Sequence, residues 1–200
     1  MSETKRAPRR DATRRREALI LAAAAAFEEQ GYGVAMETIA ERAGVGRATL
    51  YRNFKDREAL ALAIFAREID RMEAMIDPAR PIAQTIGAMV REGARASGLF
   101  ARIALELHVD AENIAAFRAL GERLERVVTP AVMAAQARGE LSATATAREV
   151  VLAVRMLGGL LRPQLAEDEG EAQRATALAM LMRGLMPRGS SSCPSPSGEG

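Results

Sequence analysis

The segment from Thr38 to Leu60 constrains the fold of this 200-residue chain more than any other part of its sequence. Ile39, Ala40 and Ala43 recur at helical spacing and predict the buried side of one short helix. Gly44 follows where the chain must leave that helix, and glycine adopts a left-handed conformation at least cost. The pattern therefore predicts a short helix that ends in a tight turn.

A second short helix is predicted directly after this turn. Leu50 and Phe54 are four residues apart and form its predicted buried side, and Asp56 is a good N-cap for the helix that follows. Its other positions carry side chains that can hydrogen-bond phosphates or base edges: Arg47, Thr49, Tyr51, Arg52 and Asn53. A bracing helix, a turn and a polar second helix are typical of a helix-turn-helix, whose second helix enters the major groove of DNA.

These residues resemble the N-terminal domain of the TetR (tetracycline-repressor-like) family, over a stretch from about Arg14 to Leu60. The resemblance rests on an Ala-rich first helix and on Phe27, Gly31-Tyr32, Ile39-Ala40, Ala43-Gly44-Val45, Thr49-Leu50-Tyr51, Phe54 and Glu58-Ala59-Leu60. It implies a three-helix bundle with a helix-turn-helix, followed by a helical ligand-binding and dimerisation domain. The chain departs from the family at Ala35 and Gly46, where many members carry Ser or Thr.

The predicted DNA-binding residues are Arg47, Thr49, Tyr51, Arg52, Asn53, Lys55 and Arg57. Arginine on a recognition helix most often reads guanine, and in the family the tyrosine at this place contacts DNA. Lys55 and Arg57 are predicted to bind phosphates near the start of the next helix. Tyr51 could instead pack, Thr49 could bond its own helix backbone, and the arginines could be solvated.

Composition independently predicts an all-α protein, because aromatic residues make up 4% of the chain and good helix formers dominate. The periodicity predicts about nine helices, the sixth from about Phe100 to Val109, with Pro130 kinking the seventh or dividing it. The predicted organisation is a disordered basic arm (1–12), a DNA-binding domain (13–60), a helical effector and dimerisation domain (61–187) and a disordered tail (188–200).

Charge is distributed unevenly along the chain. Residues 1–60 carry 12 Lys/Arg and 9 Asp/Glu, a net of +3, and the other 140 residues carry 16 and 17, a net of −1. Basic residues are concentrated in the first 16 positions. This arm either is a solvated, disordered leader or contacts DNA beside the helix-turn-helix.

The last two predicted helices are more apolar than ordinary surface helices. They predict a four-helix interface between two copies of the chain, as in the family, with burial inside the monomer as the alternative. The predicted interface residues are Val150, Val154, Leu157, Gly158, Leu161, Leu178, Leu181 and Leu185.

An effector cavity is predicted from the resemblance and from adaptable apolar residues in the C-terminal part. Its predicted lining is Met72, Met89, Phe100, His108, Arg155 and Met156. Core filling is the alternative for the methionines and for Phe100, and a partly exposed or satisfied position is the alternative for His108. Arg155 interrupts an apolar helix, so it reaches solvent, pairs with an acid or meets a ligand.

Several classes of protein are excluded by the sequence pattern. No catalytic constellation, phosphate-binding loop or zinc motif is present, so no enzyme activity, cofactor or metal site is predicted. One cysteine, Cys193, rules out a disulfide framework and fits a cytoplasmic protein, and no apolar run is long enough to span a membrane.

The sequence thus predicts a cytoplasmic, homodimeric transcriptional regulator, a repressor that a small-molecule effector releases from a palindromic operator in double-stranded DNA. Two other interpretations are open at this point. One is an architectural or constitutive DNA-binding protein without an effector. The other is a helical adaptor or enzyme that contains a helix-turn-helix.

Overall fold

The structure is a computed structural model, and it describes residues 7–91, 111–159 and 167–187. These residues form eight helices and no strand, which confirms the all-α prediction. The helices are α1 (Ala7–Gln30), α2 (Met36–Arg42), α3 (Arg47–Asn53), α4 (Arg57–Met75), α5 (82–91), α6 (Ala111–Ala137), α7 (Ala147–Gly159) and α8 (Glu167–Leu185). The predicted sixth helix, with Phe100 and His108, lies outside the described residues.

Helix α1 begins earlier than the sequence pattern predicted. It starts at Ala7, so the prediction of disorder is wrong for residues 7–12, while residues 1–6 lie outside the described part. Pro8 stands in the first turn, where a missing N–H breaks no intrahelical hydrogen bond, and the surrounding Ala and Arg favour helix. Residues 7–12 of the predicted arm are therefore an extension of the first helix.

The turn between α2 and α3 has the predicted geometry. Gly44 has a φ of 65°, in the left-handed region, and the backbone N–H of Val45 donates to the carbonyl of Ala40 at 3.0 Å. Gly46 is the N-cap of α3 and, like Ala35 before α2, it makes no side-chain cap bond. The two short helices thus depend on packing rather than on caps.

A first core holds α1 to α3 against the beginning of α4. Its largest fully buried side chains include Leu19, Phe27, Ile39, Leu50 and Leu60. Two side chains of α6, Phe117 and Leu120, also pack against this cluster, and the rings of Phe65 and Phe117 lie 5.7 Å apart. The N-terminal helices therefore share a core with a helix from the C-terminal half.

A second core lies between the end of α4 and helices α5 to α8. It includes Met72 from α4, Ile86 and Met89 from α5 and Val128 from α6. On α7, Val150, Val154 and Leu157 are at most 4% exposed, and Gly158 is also buried. These four residues were predicted for a dimer interface. They are instead buried inside the monomer, which was the alternative, because α5, α6 and α8 cover that side of α7.

Helix α6 runs without a break through Pro130. The predicted division at Thr129 is wrong. The Thr129 hydroxyl donates to the carbonyl of Glu125 at 2.8 Å, within the turn that the proline affects. Because α6 contributes to both cores, packing on either side of the proline holds the helix together.

The turn after α6 ties distant parts of the chain together. Gly139 has a φ of 73° and ends the helix, and the next residue, Glu140, accepts a hydrogen bond from the backbone N–H of Ile82 at 2.7 Å. Arg138 donates to Glu140 and to the carbonyls of Pro78 and Arg80. This pair therefore fixes the loop before α5 and satisfies an N–H at the start of that helix.

Candidate nucleic-acid interface

Helix α3 is anchored on one side and open on the other. Leu50 is fully buried and Phe54, directly after the helix, is 2% exposed, as predicted. The Arg47 side chain is 70% exposed and Tyr51 is 41% exposed, and Arg52 is also exposed. A rigid helix thus presents two guanidinium groups and a phenol to solvent.

Arg47, the first residue of α3, is held by two neighbours. Its Nε lies 3.0 Å from Oε1 of Glu37 on α2. Its guanidinium carbon is 5.6 Å from the centre of the Tyr51 ring, one helical turn further along α3. The side chain is therefore exposed and yet restrained from two sides.

The polar residues in the middle of α3 bond to one another. Nη2 of Arg52 lies 3.0 Å from the Thr49 hydroxyl, and Nδ2 of Asn53 donates to the carbonyl of Thr49 at 2.7 Å. The Thr49 hydroxyl therefore accepts from Arg52 rather than bonding its own helix backbone, and it is Asn53 whose side chain bonds the backbone of α3. Both hydrogen bonds are exposed or half-buried, so an incoming phosphate or base edge could exchange with them.

Lys55 and Arg57 lie beside the N-terminus of α4, and both have partners in the protein. Nζ of Lys55 is 3.1 Å from Oε2 of Glu112 in the first turn of α6. Arg57 donates to the carbonyl of Tyr32 and stacks over its ring at 5.3 Å. Asp56 is the N-cap of α4, as predicted, accepting from the Ala59 N–H at 2.7 Å.

The half-buried Arg57 belongs to a small cluster that joins the loop between α1 and α2 to the first turn of α4. Burial raises the pKa of the Tyr32 phenol, and the Glu58 carboxylate nearby raises that pKa further. The phenol therefore stays protonated and donates to Oε1 of Glu58 at 3.3 Å. In this arrangement Arg57 serves the packing of the helix-turn-helix, and its contact with phosphate stays a prediction.

The N-terminal turns of α1 add positive charge beside α3. Arg14, Arg15 and Arg16 are all exposed, and the guanidinium of Arg16 lies 4.7 Å from the centre of the Phe54 ring. Phe54 is the residue directly after α3, so the basic N-terminal turns of α1 lie beside the C-terminal end of α3. The sequence signal for this neighbour was the run of basic residues before the motif.

The sequence and this geometry were compared with known proteins. The family model described as "Bacterial regulatory proteins, tetR family" matches residues 19–64, which span the end of α1, both short helices and the start of α4. A TetR transcriptional regulator from Streptomyces coelicolor has the same fold over 87% of this chain and 99% of its own, with 26% identity and a TM-score of 0.63. Residues 19–64 form a TetR-family domain.

Curated relatives match the same N-terminal part of the chain. The HTH-type transcriptional activator FasR of Mycolicibacterium smegmatis is 41% identical over 59 residues, 29% of this chain and 27% of its own. An HTH-type transcriptional regulator of Staphylococcus aureus is 36% identical over 63 residues, 31% of this chain and 34% of its own. The matched part thus spans about a third or less of these relatives.

Two further solved structures share the fold along most of the chain. The TetR transcription regulatory protein of Mycobacterium vanbaalenii is 25% identical, covers 90% of this chain and 99% of its own, and has a TM-score of 0.61. A TetR-family regulator from Rhodococcus sp. reaches a TM-score of 0.68 at 21% identity, over 88% of this chain and all of its own. The likeness to the latter concerns the fold alone.

The C-terminal half of the chain contains an open groove between α5 and α8. Its volume is about 470 Å³, and its walls are Arg80, Ala83, Gln84, Gly87, Ala88, Arg91 and Leu178. A smaller cavity of about 110 Å³ adjoins it, sharing Gly87, Arg91 and Leu178 and adding Val90, Leu157, Glu171, Arg174 and Ala175. The walls combine an apolar floor with three arginines and one glutamate.

The residues predicted for an effector cavity do not meet in this groove. Met72 and Met89 are buried in the second core, so they fill the core, which was the alternative to lining a cavity. Arg155 and Met156 are exposed on α7, and Phe100 and His108 lie outside the described residues. The groove was missed because its polar residues repeat on the outer side of α5, a pattern that looks like an ordinary solvated helix.

The exposed side of α7 carries large apolar residues that were not predicted for the dimer interface. Leu152 and Met156 are each 55% exposed, and Met180 on α8 is 61% exposed. Leu178, Leu181 and Leu185 are half-buried against the second core, and Leu161 lies outside the described residues. An apolar surface does exist on these two helices, but on the opposite side of α7 from the one predicted.

Two negative findings apply to the part of the chain that the structure describes. Within residues 7–91, 111–159 and 167–187, no cluster of three or more potential metal-binding side chains occurs. None of the helices described there has both the length and the apolar character required to cross a bilayer.

Proposed function

We propose that this protein is a dimeric, sequence-specific DNA-binding transcriptional regulator. The observation that carries the proposal is the exposed side of α3, where Arg47, Tyr51 and Arg52 project from a helix fixed by Leu50 and Phe54. Arginine pairs bidentately with guanine in the major groove, and the Tyr51 hydroxyl can bond a phosphate. The exposed arginines at the start of α1 would add phosphate contacts beside this helix.

The proposed DNA site is an inverted repeat read by two copies of α3. Two symmetric subunits place their recognition helices in major grooves about one turn, or roughly 34 Å, apart. Leu152 and Met156 on α7, with Met180 on α8, are the residues we propose for the contact between subunits. Exposed apolar side chains of this size on two neighbouring helices suit a symmetric helix-on-helix interface.

The proposal is tested by mixing the protein with genomic DNA fragments and sequencing those it retains. An enriched inverted repeat with half-sites about 10 base pairs apart is the expected result. Retention that falls with salt but enriches no sequence would instead favour the architectural interpretation. No retention at low salt would leave the adaptor or enzyme interpretation.

We further propose that a small molecule regulates DNA binding and that the groove between α5 and α8 receives it. Its size lies within the range of ligand pockets, and Arg80, Arg91 and Arg174 outnumber the single carboxylate of Glu171. This wall favours an anion with an apolar body, held by a guanidinium and by Leu178. The ligand would shift the population toward a conformation in which the two α3 helices no longer fit the DNA site.

A matched pair of variants tests the groove. A Cβ at Gly87 would lie 3.4 Å from Nη1 of Arg91 and 3.8 Å from Leu178, so Gly87→Leu would fill the space. A panel of small carboxylates, with their neutral amides as controls, is assayed by thermal shift and by release of DNA. We expect a carboxylate response in the wild type that is lost in Gly87→Leu and kept in Gly121→Ala, whose Cβ would meet no atom within 4 Å.

The direction of regulation is proposed as repression, relieved by the effector. A reporter gene with the retained DNA sequence across its promoter tests this directly. Lower expression in the presence of the protein is expected, and higher expression would establish activation. The name of the Mycolicibacterium smegmatis relative, a transcriptional activator, makes this measurement necessary.

A further inference from the structure

A carboxylate stands at the edge of the proposed DNA-reading surface, where simple electrostatics opposes it. Glu37 lies in the first turn of α2, its side chain is 43% exposed, and its Oε1 is 3.0 Å from Nε of Arg47. A negative charge beside a polyanion weakens DNA binding in general. The position therefore requires an explanation in terms of what the carboxylate does to Arg47.

The atoms involved determine which edge of the guanidinium remains available. Glu37 engages Nε, and the Tyr51 ring lies against the guanidinium from the next turn of α3. Among the described residues, no hydrogen bond to Nη1 or Nη2 of Arg47 is found. These two terminal nitrogens form the fork that pairs with O6 and N7 of guanine.

We propose that Glu37 is a positioning and specificity-determining residue for this DNA-reading surface. It restrains Arg47 so that the Nη1 and Nη2 edge faces a guanine, and its charge disfavours DNA that offers no guanine there. Restraint lowers the entropy lost when the side chain makes its base contact. The inference rests on the proposed function, since it requires that α3 reads bases.

This role predicts an effect of opposite sign on two kinds of DNA. Removing the carboxylate should weaken binding to the selected sequence, because Arg47 loses its restraint. The same change should strengthen binding to random DNA, because one negative charge is removed. A carboxylate that acted by charge alone would change both affinities in the same direction.

The experiment compares Glu37→Ala with Glu41→Ala in the full chain. Glu41 is an exposed glutamate one turn further along α2, so its removal changes the charge equally without touching Arg47. Binding is measured on the duplex recovered by fragment selection and on a random duplex of the same length. Glu37→Ala should bind the selected duplex about two- to fivefold more weakly and random duplex about twofold more tightly, whereas Glu41→Ala should weaken neither.

Two further variants make the mechanism testable. Glu37→Gln keeps the shape of the side chain but removes its charge, so it should weaken binding to the selected duplex about as much as Glu37→Ala if the ion pair restrains Arg47. In an Arg47→Ala background, Glu37→Ala should no longer weaken that binding, because the restrained group is gone. Thermal melting of each variant checks that the fold is intact.

The inference is overturned if Glu37→Ala tightens binding to both duplexes, or if its weakening persists in the Arg47→Ala background. It is also overturned if the Glu41 control behaves in the same way as Glu37→Ala. Failure of the proposed function has a different signature. In that case the wild type itself selects no sequence from genomic fragments.

Discussion

Nζ of Lys55 lies 3.1 Å from Oε2 of Glu112, so the loop between α3 and α4 is joined by an ion pair to the first turn of α6. Both side chains are more than half exposed, which keeps the pair weak in stability terms. Its position matters more than its strength. Lys55 was predicted to bind a phosphate. In this structure its ammonium group is instead paired with the carboxylate of Glu112, from the C-terminal half.

Replacing Glu112 with Gln should increase DNA affinity about two- to fivefold on selected and random duplexes alike, because the carboxylate no longer competes with phosphate for Lys55. Binding isotherms at several salt concentrations measure this. Lys55→Ala should reduce the salt slope by about one unit. If Glu112→Gln has the same effect in a Lys55→Ala background, the ion pair is not the cause.

Arg47→Ala should weaken binding to the selected DNA by roughly 1–3 kcal/mol if Arg47 reads a base. Binding to random DNA should change much less, because a base contact contributes little where the base is wrong. Fluorescence anisotropy with both duplexes measures the difference. An equal loss on the two duplexes would assign Arg47 to a phosphate.

Leu152→Lys should convert the proposed dimer to a monomer at micromolar concentration, because a charge would be buried in an apolar contact. Analytical ultracentrifugation gives the mass. The control is Met133→Lys, because Met133 on α6 is 64% exposed and lies outside α7 and α8. A dimer that survives Leu152→Lys but dissociates in the control would place the interface on α6.

Asp56→Ala should destabilise the protein by about 0.5–2 kcal/mol, because the Ala59 N–H loses its acceptor at the start of α4. Asp56→Asn keeps an oxygen acceptor and should lose less. Urea unfolding followed by circular dichroism measures both variants. Equal losses for Ala and Asn would mean that the charge at the helix N-terminus, rather than the hydrogen bond, contributes the stability.

The Glu140 carboxylate should make stability depend on acid pH. The hydrogen bond from Arg138 lowers the pKa of Glu140 below its ordinary value of 4.5, and the hydrogen bond from the Ile82 backbone lowers it further. A lowered folded-state pKa means that this contribution is complete above about pH 4.5 and is lost as the pH falls through the folded value. The melting temperature should therefore fall more steeply below pH 4.5 in the wild type than in Glu140→Gln, and Glu122→Gln should follow the wild type.

The N-terminal half could be predicted well because its signals are local. The left-handed turn at Gly44, the buried pair Leu50 and Phe54 and the cap at Asp56 each depend on residues a few positions apart. Local periodicity is what a sequence displays directly. A local signal was also overlooked, since Thr146 and Glu149 form reciprocal capping bonds at the start of α7.

The C-terminal half could not be predicted to the same depth because its contacts are distant in sequence. Glu140 caps α5 from 58 residues away, and Glu112 reaches Lys55 across 57. On α7 the periodicity does single out the side that holds Val150, Val154 and Leu157, but the sequence could not tell whether that side packs inside the protomer or against a second subunit. Only the packing of α5, α6 and α8 decides between them.

The unbroken course of α6 through Pro130 gives the molecule a single rod between its two halves. Its 27 residues extend about 40 Å, from Glu112 beside the helix-turn-helix to the turn that holds α5 in place. A tilt of about 5° at one end of a rod of this length displaces the other end by roughly 3.5 Å. A small rearrangement around the α5–α8 groove would therefore be enough to change the distance between Glu112 and Lys55. Lys55 lies in the loop that follows the recognition helix, so a movement at the groove would be felt there.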